Sequence, residues 1–439
     1  MPRSRPAGRR QPRAVTGSLL SLGLALVLGA CSSASAGGAG TAAAGAGGAG
    51  PIRVGAVFPL DGMTATLAGQ ERLGVQLAAD FVNADGGIQG RPVALDVRDL
   101  SDRAAAGQVI DSLRVEGASV VVGAYSSDLS IAVSSAAAAD GLVYWEAGAV
   151  ADQLTGRGLP LVFRVGTDGG HLGANSATFA ATVLAPRLGK VPSALRLTLV
   201  GADDPYARSV ADGTARAAGD LGLVLADRIE YHLSYPDWPT VLQRVAASRP
   251  DVVVLASHIP DGVAFRRAML AAHLHVGALI GSTMAECGPD FGDELGADAV
   301  GVFASDRPTQ GFNPDALSQT ARAVYDRFAA AWRQRTGGPP TEEAIAGFSA
   351  GWALFHDVLP GASGARDPQA IAAAARSLDL PDGALPNGAG LRFSADPGRL
   401  GQNERASAVI WQWQGVRRSV TVWPPVLATG AVTLVPLTR

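Results

Sequence analysis

The run Val120-Val121-Val122-Gly123 contains no polar residue, and the small polar stretch after it leads into the apolar-periodic segment Ile131 to Ala139. A short β-branched run of this kind predicts a strand buried on both faces, then a turn and a helix start. Gly123 frees the backbone at the turn, and Ser127 or Asp128 is placed to cap the helix, whose first N–H groups point outward at its positive end. Ligands of open α/β sheets sit outside the carboxyl ends of strands, so this corner reads as half of a small-molecule site. The plainer reading is an ordinary strand-to-helix turn with a capping serine.

The same alternation runs through the chain. Ile52 to Phe58 predicts a first strand, and Leu73, Leu77 and Phe81, with Gly74, Ala78 and Val82 beside them, predict a helix with one apolar face. That helix stops at Asn83-Ala84-Asp85-Gly86-Gly87, where paired glycines permit a left-handed cap. Val93 to Val97 and Ala104 to Glu116 add a strand and a helix before Val120. A second series follows Asp168: a strand from Leu195 to Val200, a helix from Ala207 to Leu221, strands at Leu223 to Tyr231 and Asp251 to Ala256, a helix around Gly262 to Ala272 and a strand near Ala278 to Gly281. Ala316 to Thr336 and Glu342 to Leu359 have helical period. Repeated βα alternation predicts an α/β fold with parallel, doubly wound sheets and right-handed crossovers.

Length and composition allow two or three domains with real cores, since 439 residues are 47% hydrophobic and 17% charged. The first thirty residues carry Arg3, Arg5, Arg9, Arg10 and Arg13 and no acid, and leaving them out takes the formal charge from -3 to -8. That balance excludes nucleic acid as the expected partner. The basic start and the apolar run Val15 to Leu28, too short to span a bilayer comfortably, have the form of a secretory signal over residues 1–30. Leu28-Gly29-Ala30-Cys31 resembles the bacterial lipobox, which implies lipidation of Cys31; the alternative is a plain signal with an incidental cysteine. The following residues 31–50 are almost all Ser, Ala, Gly and Thr, a flexible tether. Once Cys31 is lipidated only Cys287 remains, so no intrachain disulfide is expected. Neither the general nor the twin-arginine export route is singled out, although the residues after Arg9-Arg10 fit the second poorly.

Pro59-Leu60-Asp61-Gly62, Asn83 to Pro92, the Gly123 to Ser130 corner, Leu154-Thr155-Gly156-Arg157-Gly158 and Phe163 to Asp168 occur in that order. Over roughly residues 51–425 the chain resembles the branched-chain amino-acid type of extracytoplasmic solute-binding protein, the receptor of ABC importers. The resemblance implies two doubly wound parallel-sheet lobes joined by a three-strand hinge. Lobe 1 would comprise 51–168 and 304–392, and lobe 2 would comprise 169–303 and 393–439, with the third crossing near Gly390 to Phe393. It implies a small polar or amino-acid-like ligand between the lobes, no cofactor, an ABC permease as partner and a lipid-anchored, extracytoplasmic location.

By position, the resemblance assigns the ligand carboxylate to Ser127, with Ser126 beside it, and backbone contacts to Ala149 and Val150. It assigns cleft-lining roles to Tyr206 and to His258 or Ile259. The position of the ammonium partner falls on Thr283, which carries no charge. Glu146, Asp168 and Glu286 are then candidates for the missing negative charge. Glu146 follows the apolar run Gly141 to Trp145, where an unpaired carboxylate is costly, and is either a ligand group or half of a structural ion pair with an arginine. Asp168, before Gly169-Gly170, is either a ligand group or a hinge or helix-capping acid.

Gly347-Phe348-Ser349-Ala350-Gly351 has the spacing of a hydrolase nucleophile elbow but sits inside a helical period rather than after a strand. The six histidines lack metal-ligand spacing, so no metal is expected. A sensor of the same fold, reporting to a signalling partner, is the alternative to transport. An enzyme would need a nucleophile, base and orienter that the sequence does not bring together.

Overall fold

The computed structural model describes residues 50–62, 64–282, 288–308, 311–362, 366–433 and 435–437. The expected leader, Cys31 and most of the linker lie outside the described residues, as do Thr283, Glu286 and Cys287.

The first lobe is built on five parallel strands, β1 (Ile52–Phe58), β2 (Val93–Asp99), β3 (Val120–Gly123), β4 (Val143–Glu146) and β5 (Val162–Arg164), in the order β2-β1-β3-β4-β5. Helices α1 (Ala65–Ala84), α2 (Ala106–Val115) and α3 (Ser127–Ala139) connect them. Each strand is two-sided: Val120, Val122 and Trp145 pack into one apolar cluster, while Val121 and Tyr144 pack into another on the opposite face. A period of two with both faces covered produces the unbroken hydrophobic runs seen in the sequence.

The chain then crosses through α4 (Gly169–Phe179), a π-turn and the single turn α5 (Ala185–Arg187) into the second lobe. There β6 (Arg196–Ala202), α6 (Pro205–Asp220), β7 (Val224–Tyr231), α7 (Trp238–Ser248), β8 (Val252–Ala256), α8 (Ile259–Ala271), β9 (Ala278–Ser282), α9 (Gly288–Leu295) and β10 (Phe303–Asp306) follow. Next α10 (Gln319–Thr336), α11 (Glu342–Trp352) and α12 (Pro368–Ser377) pack on the first lobe's core, and β11 (Val409–Gly415) and β12 (Arg418–Trp423) return to the second. The second sheet has the order β12-β11-β10-β9-β8-β6-β7, with β11 and β12 antiparallel.

Two expected boundaries move. β10 pairs in parallel with β9 and antiparallel with β11, so Phe303–Asp306 belongs to the second lobe and the chain leaves it at Arg307, not at 304. The third crossing lies beyond Gly390 to Phe393. Gln402 bridges Arg164, Phe393 bridges Asn403 and Asn403 N donates to Arg164 O, which keeps the chain on the edge of β5 to about there. Hydrophobic period marks a strand but does not say which sheet's edge it joins.

Candidate functional site

In each lobe the strand order reverses at one point, between β1 and β3 in the first and between β6 and β8 in the second. The crevices outside these switch points are where doubly wound sheets hold ligands. Here the two face each other. A cleft of about 660 Å³ is lined by Thr64, Leu67, Ser126 and Ser127 from one lobe and by Tyr206, Leu233, His258 and Ile259 from the other. A narrower recess of about 50 Å³ continues inward between Tyr125, Ser127, Gly148, Ala149, Val150 and Arg307.

Ser126, rather than the expected Ser127 or Asp128, is the N-cap of α3, its Oγ accepting from Leu129 N at 3.4 Å. The next residue is thereby left for other work. Ser127 Oγ accepts from Ala151 N at 3.1 Å, so its own proton is available to an acceptor in the cleft. The first N–H groups of α3 have no carbonyl one turn back and point the same way. A Cβ on Gly123, at φ +135°, would sit 1.9 Å from Val57 O, so only glycine allows the turn between β3 and this corner.

The loop opposite is held from behind. Glu146 Oε1 accepts from the N–H groups of Ala147, Gly148 and Ala149 at 3.0, 2.8 and 2.9 Å, and Oε2 accepts from Tyr144 OH at 2.6 Å. Glu146 is fully buried and lines neither recess, and among the described residues no arginine pairs with it. Burial raises its carboxyl above the ordinary range, against the pull of Ser130, Tyr144 and the backbone donors. Its work is to fix the shape of Gly148-Ala149-Val150.

On the second lobe, Tyr206 OH donates to the carbonyls of Ser257, at 3.2 Å, and Ser282, and its ring lies 5.3 Å from the His258 ring. His258 is the N-cap of α8 and its Nε2 lies 3.3 Å from Asp204 Oδ2. Asp204 caps α6 through Ala207 N and Asp261 accepts from His258 N, so both helix starts on this wall already face an aspartate. On the first lobe the cap of α3 is a neutral serine and the one acid of its first turn, Asp128, is paired with Arg103, so an anion is better held there.

Asp168 lies elsewhere. It caps α4 through His171 N at 2.6 Å and pairs with Arg399 at 3.0 Å beside a separate 620 Å³ cavity. Burial opposes its ionisation, but Arg164, His171 N and Arg399 hold its carboxyl below the ordinary range. The acids of that cavity are each paired, Asp152 with Arg216, Asp168 with Arg399 and Glu404 with Arg392 from outside its lining. Ser126, Ser127, Ala149, Val150, Tyr206 and His258 thus meet in one cleft, Glu146 stands behind it, Asp168 is outside it and Thr283 is not described. Two residues went unnoticed in the sequence: Arg307, at the recess, and Glu71, fully buried behind Gly148.

Facing switch points around one cleft define a two-lobed ligand-binding protein. The chain belongs to the periplasmic binding protein family, whose model matches residues 51–410. It is 30% identical over 376 residues to a Leu/Ile/Val-binding protein homologue (homolog 8) of Brucella abortus, covering 85% of this chain and 90% of the relative. The leucine-binding protein LivK of Thermotoga maritima superimposes with a TM-score of 0.70 at 17% identity, over 85% of this chain and 98% of that one. A solute-binding protein of an R. palustris ABC transporter, solved with benzoate, gives 0.68 at 19% identity over 89% and 100%.

Proposed function

We propose that the protein captures a small carboxylate-bearing solute, amino acids foremost, between its lobes and delivers it to an ABC permease from an extracytoplasmic, lipid-anchored position. The observation that carries this is the Ser127 corner: a hydroxyl proton and the open N–H groups of α3 converge on the inner recess, beside loop amides held in place by Glu146. The relatives' ligands fit this reading, since leucine and benzoate share a carboxylate and differ in the ammonium. Among the described residues the inner recess holds no acid, whereas the outer cleft carries Asp203, Asp204, Asp261 and Asp290 on the second lobe and, on the first, only Asp128, which is paired with Arg103. A cationic group on the solute accordingly faces the second lobe.

Calorimetry with leucine, isoleucine, valine, benzoate and an alkylamine tests the reading. Carboxylates should bind and the amine alone should not. A hydrogen bond to a charged group is worth about 1.5–3 kcal/mol, so Ser127→Ala should weaken binding about ten- to a hundredfold. Binding of the amine without a carboxylate, or an unchanged dissociation constant in Ser127→Ala, sinks it. For the anchor, Cys31→Ser should move the protein from the membrane to the soluble fraction; equal partition of both forms contradicts lipidation.

A further inference from the structure

Arg307 is the first residue after β10, so its backbone belongs to the second crossing between the lobes. Its side chain reaches into lobe 1. Nη1 donates to Gly148 O at 2.9 Å and to Ala147 O at 3.4 Å, and Nε donates to Glu342 Oε1, at the start of α11, at 2.6 Å. The guanidinium is buried and occupies the carbonyls of Ala147 and Gly148, in the loop that lines the recess.

A second small cavity lies at the hinge. It is lined by Val165, Gly166 and Thr167 from the first crossing, by Arg307 from the second, and by Ala406 and Ser407 from the third. Among the described residues, Arg307 is the one that lines both this cavity and the ligand recess. A Cβ on Gly166 would stand 2.7 Å from Ala147 O, so the first crossing also touches the carbonyl that Arg307 holds. Ligand loop, hinge strands and α11 meet on one side chain.

We propose that Arg307 is the positioning residue that couples occupancy of the cleft to rotation of the lobes. A solute that draws Gly148-Ala149-Val150 toward it shifts carbonyls to which a lobe-2 crossing is tied. Glu342 holds the guanidinium against lobe 1 while this happens. Lysine cannot replace the fork, because one ammonium cannot span both the carbonyls and the carboxylate in one plane. The proposal rests on the cleft being the ligand site.

The test uses the full chain and two variants, Arg307→Lys and Glu342→Gln, the second keeping the shape of the contact. Amide exchange without solute is compared at 148–150, at 165–167 and in the core strands β6 and β8. Small-angle scattering with and without saturating L-leucine, then benzoate, reads compaction, and calorimetry reads affinity. Both variants should speed exchange at 148–150 and 165–167 together, leave β6 and β8 unchanged, bind about fivefold or more weakly and compact less. Exchange rising at 148–150 alone, or compaction equal to that of the parent protein, overturns the proposal. If the parent protein binds neither probe, the ligand reading fails while the exchange pattern still decides the role of Arg307.

Discussion

Carboxylates outnumber the cation beside the Gly148 loop. Glu71, Asp306, Glu342 and Glu343 are buried around Arg307, and neither oxygen of Glu71 has a hydrogen-bond partner among the described residues. Burial first, then Glu342, pushes Glu343 up to about 8, although Arg307 pulls the other way. The unfolded chain releases that proton near the ordinary carboxylate value, so the native state binds more protons between the two. Stability from this group is complete at acid pH and is lost as pH rises to about 8. Glu343→Gln should therefore melt close to the parent protein near pH 5 and above it near pH 8.5; a melting difference independent of pH, by calorimetry, contradicts this. The corner that holds Ser127 was legible as a strand, turn and helix start, whereas Tyr206 was reached only through the family resemblance. Glu71 was within reach too, as an acid in the buried stripe Ala68, Glu71, Val75, Ala78. Glu146 was visible as a costly buried carboxylate, but its partners are main-chain N–H groups, which leave no trace in residue identity. Arg307 depends on a tertiary crossing that local pattern does not reveal.

Among the elements, α1 and α11 explain the serine flanked by glycines. A Cβ on Gly347 would lie 2.1 Å from Glu71 O, and one on Gly74 would lie 2.3 Å from Ala344 O, so the two helices pack at backbone distance. Ser349 is fully buried inside α11, where no strained turn exposes it. The glycines serve close approach, not a nucleophile. Overpacking costs about 1–3 kcal/mol, and Gly347→Ala should destabilise by at least that much because the obstacle is backbone. Urea unfolding with an unchanged midpoint would refute the contact. Existence and type of most strands and helices followed from period alone, as with β3 and α10. Edges did not: β12 was not foreseen, and the extended pieces at 391–393 and 402–403 are bridges rather than strands, tied by hydrogen bonds to partners far away in sequence.

For the whole molecule, bound solute should raise the melting temperature in proportion to the logarithm of its concentration, since only the native cleft binds it; at about a hundred times the dissociation constant the gain is about 2.7 kcal/mol. A melting point flat across that range in a differential scan contradicts a cleft ligand. The lobes are also interleaved along the chain. The first sheet is finished by β5 at Arg164, yet its core needs α10, α11 and α12, and the second sheet waits for β11 and β12 up to Trp423. Long-range pairing of this kind makes folding slow and late, because loop closure is charged before the distant contacts form. Neither lobe can harden while the last hundred or so residues are missing. A chain of this plan stays pliable until its late strands are in place, and the order of its strands works as a timer on both lobes at once.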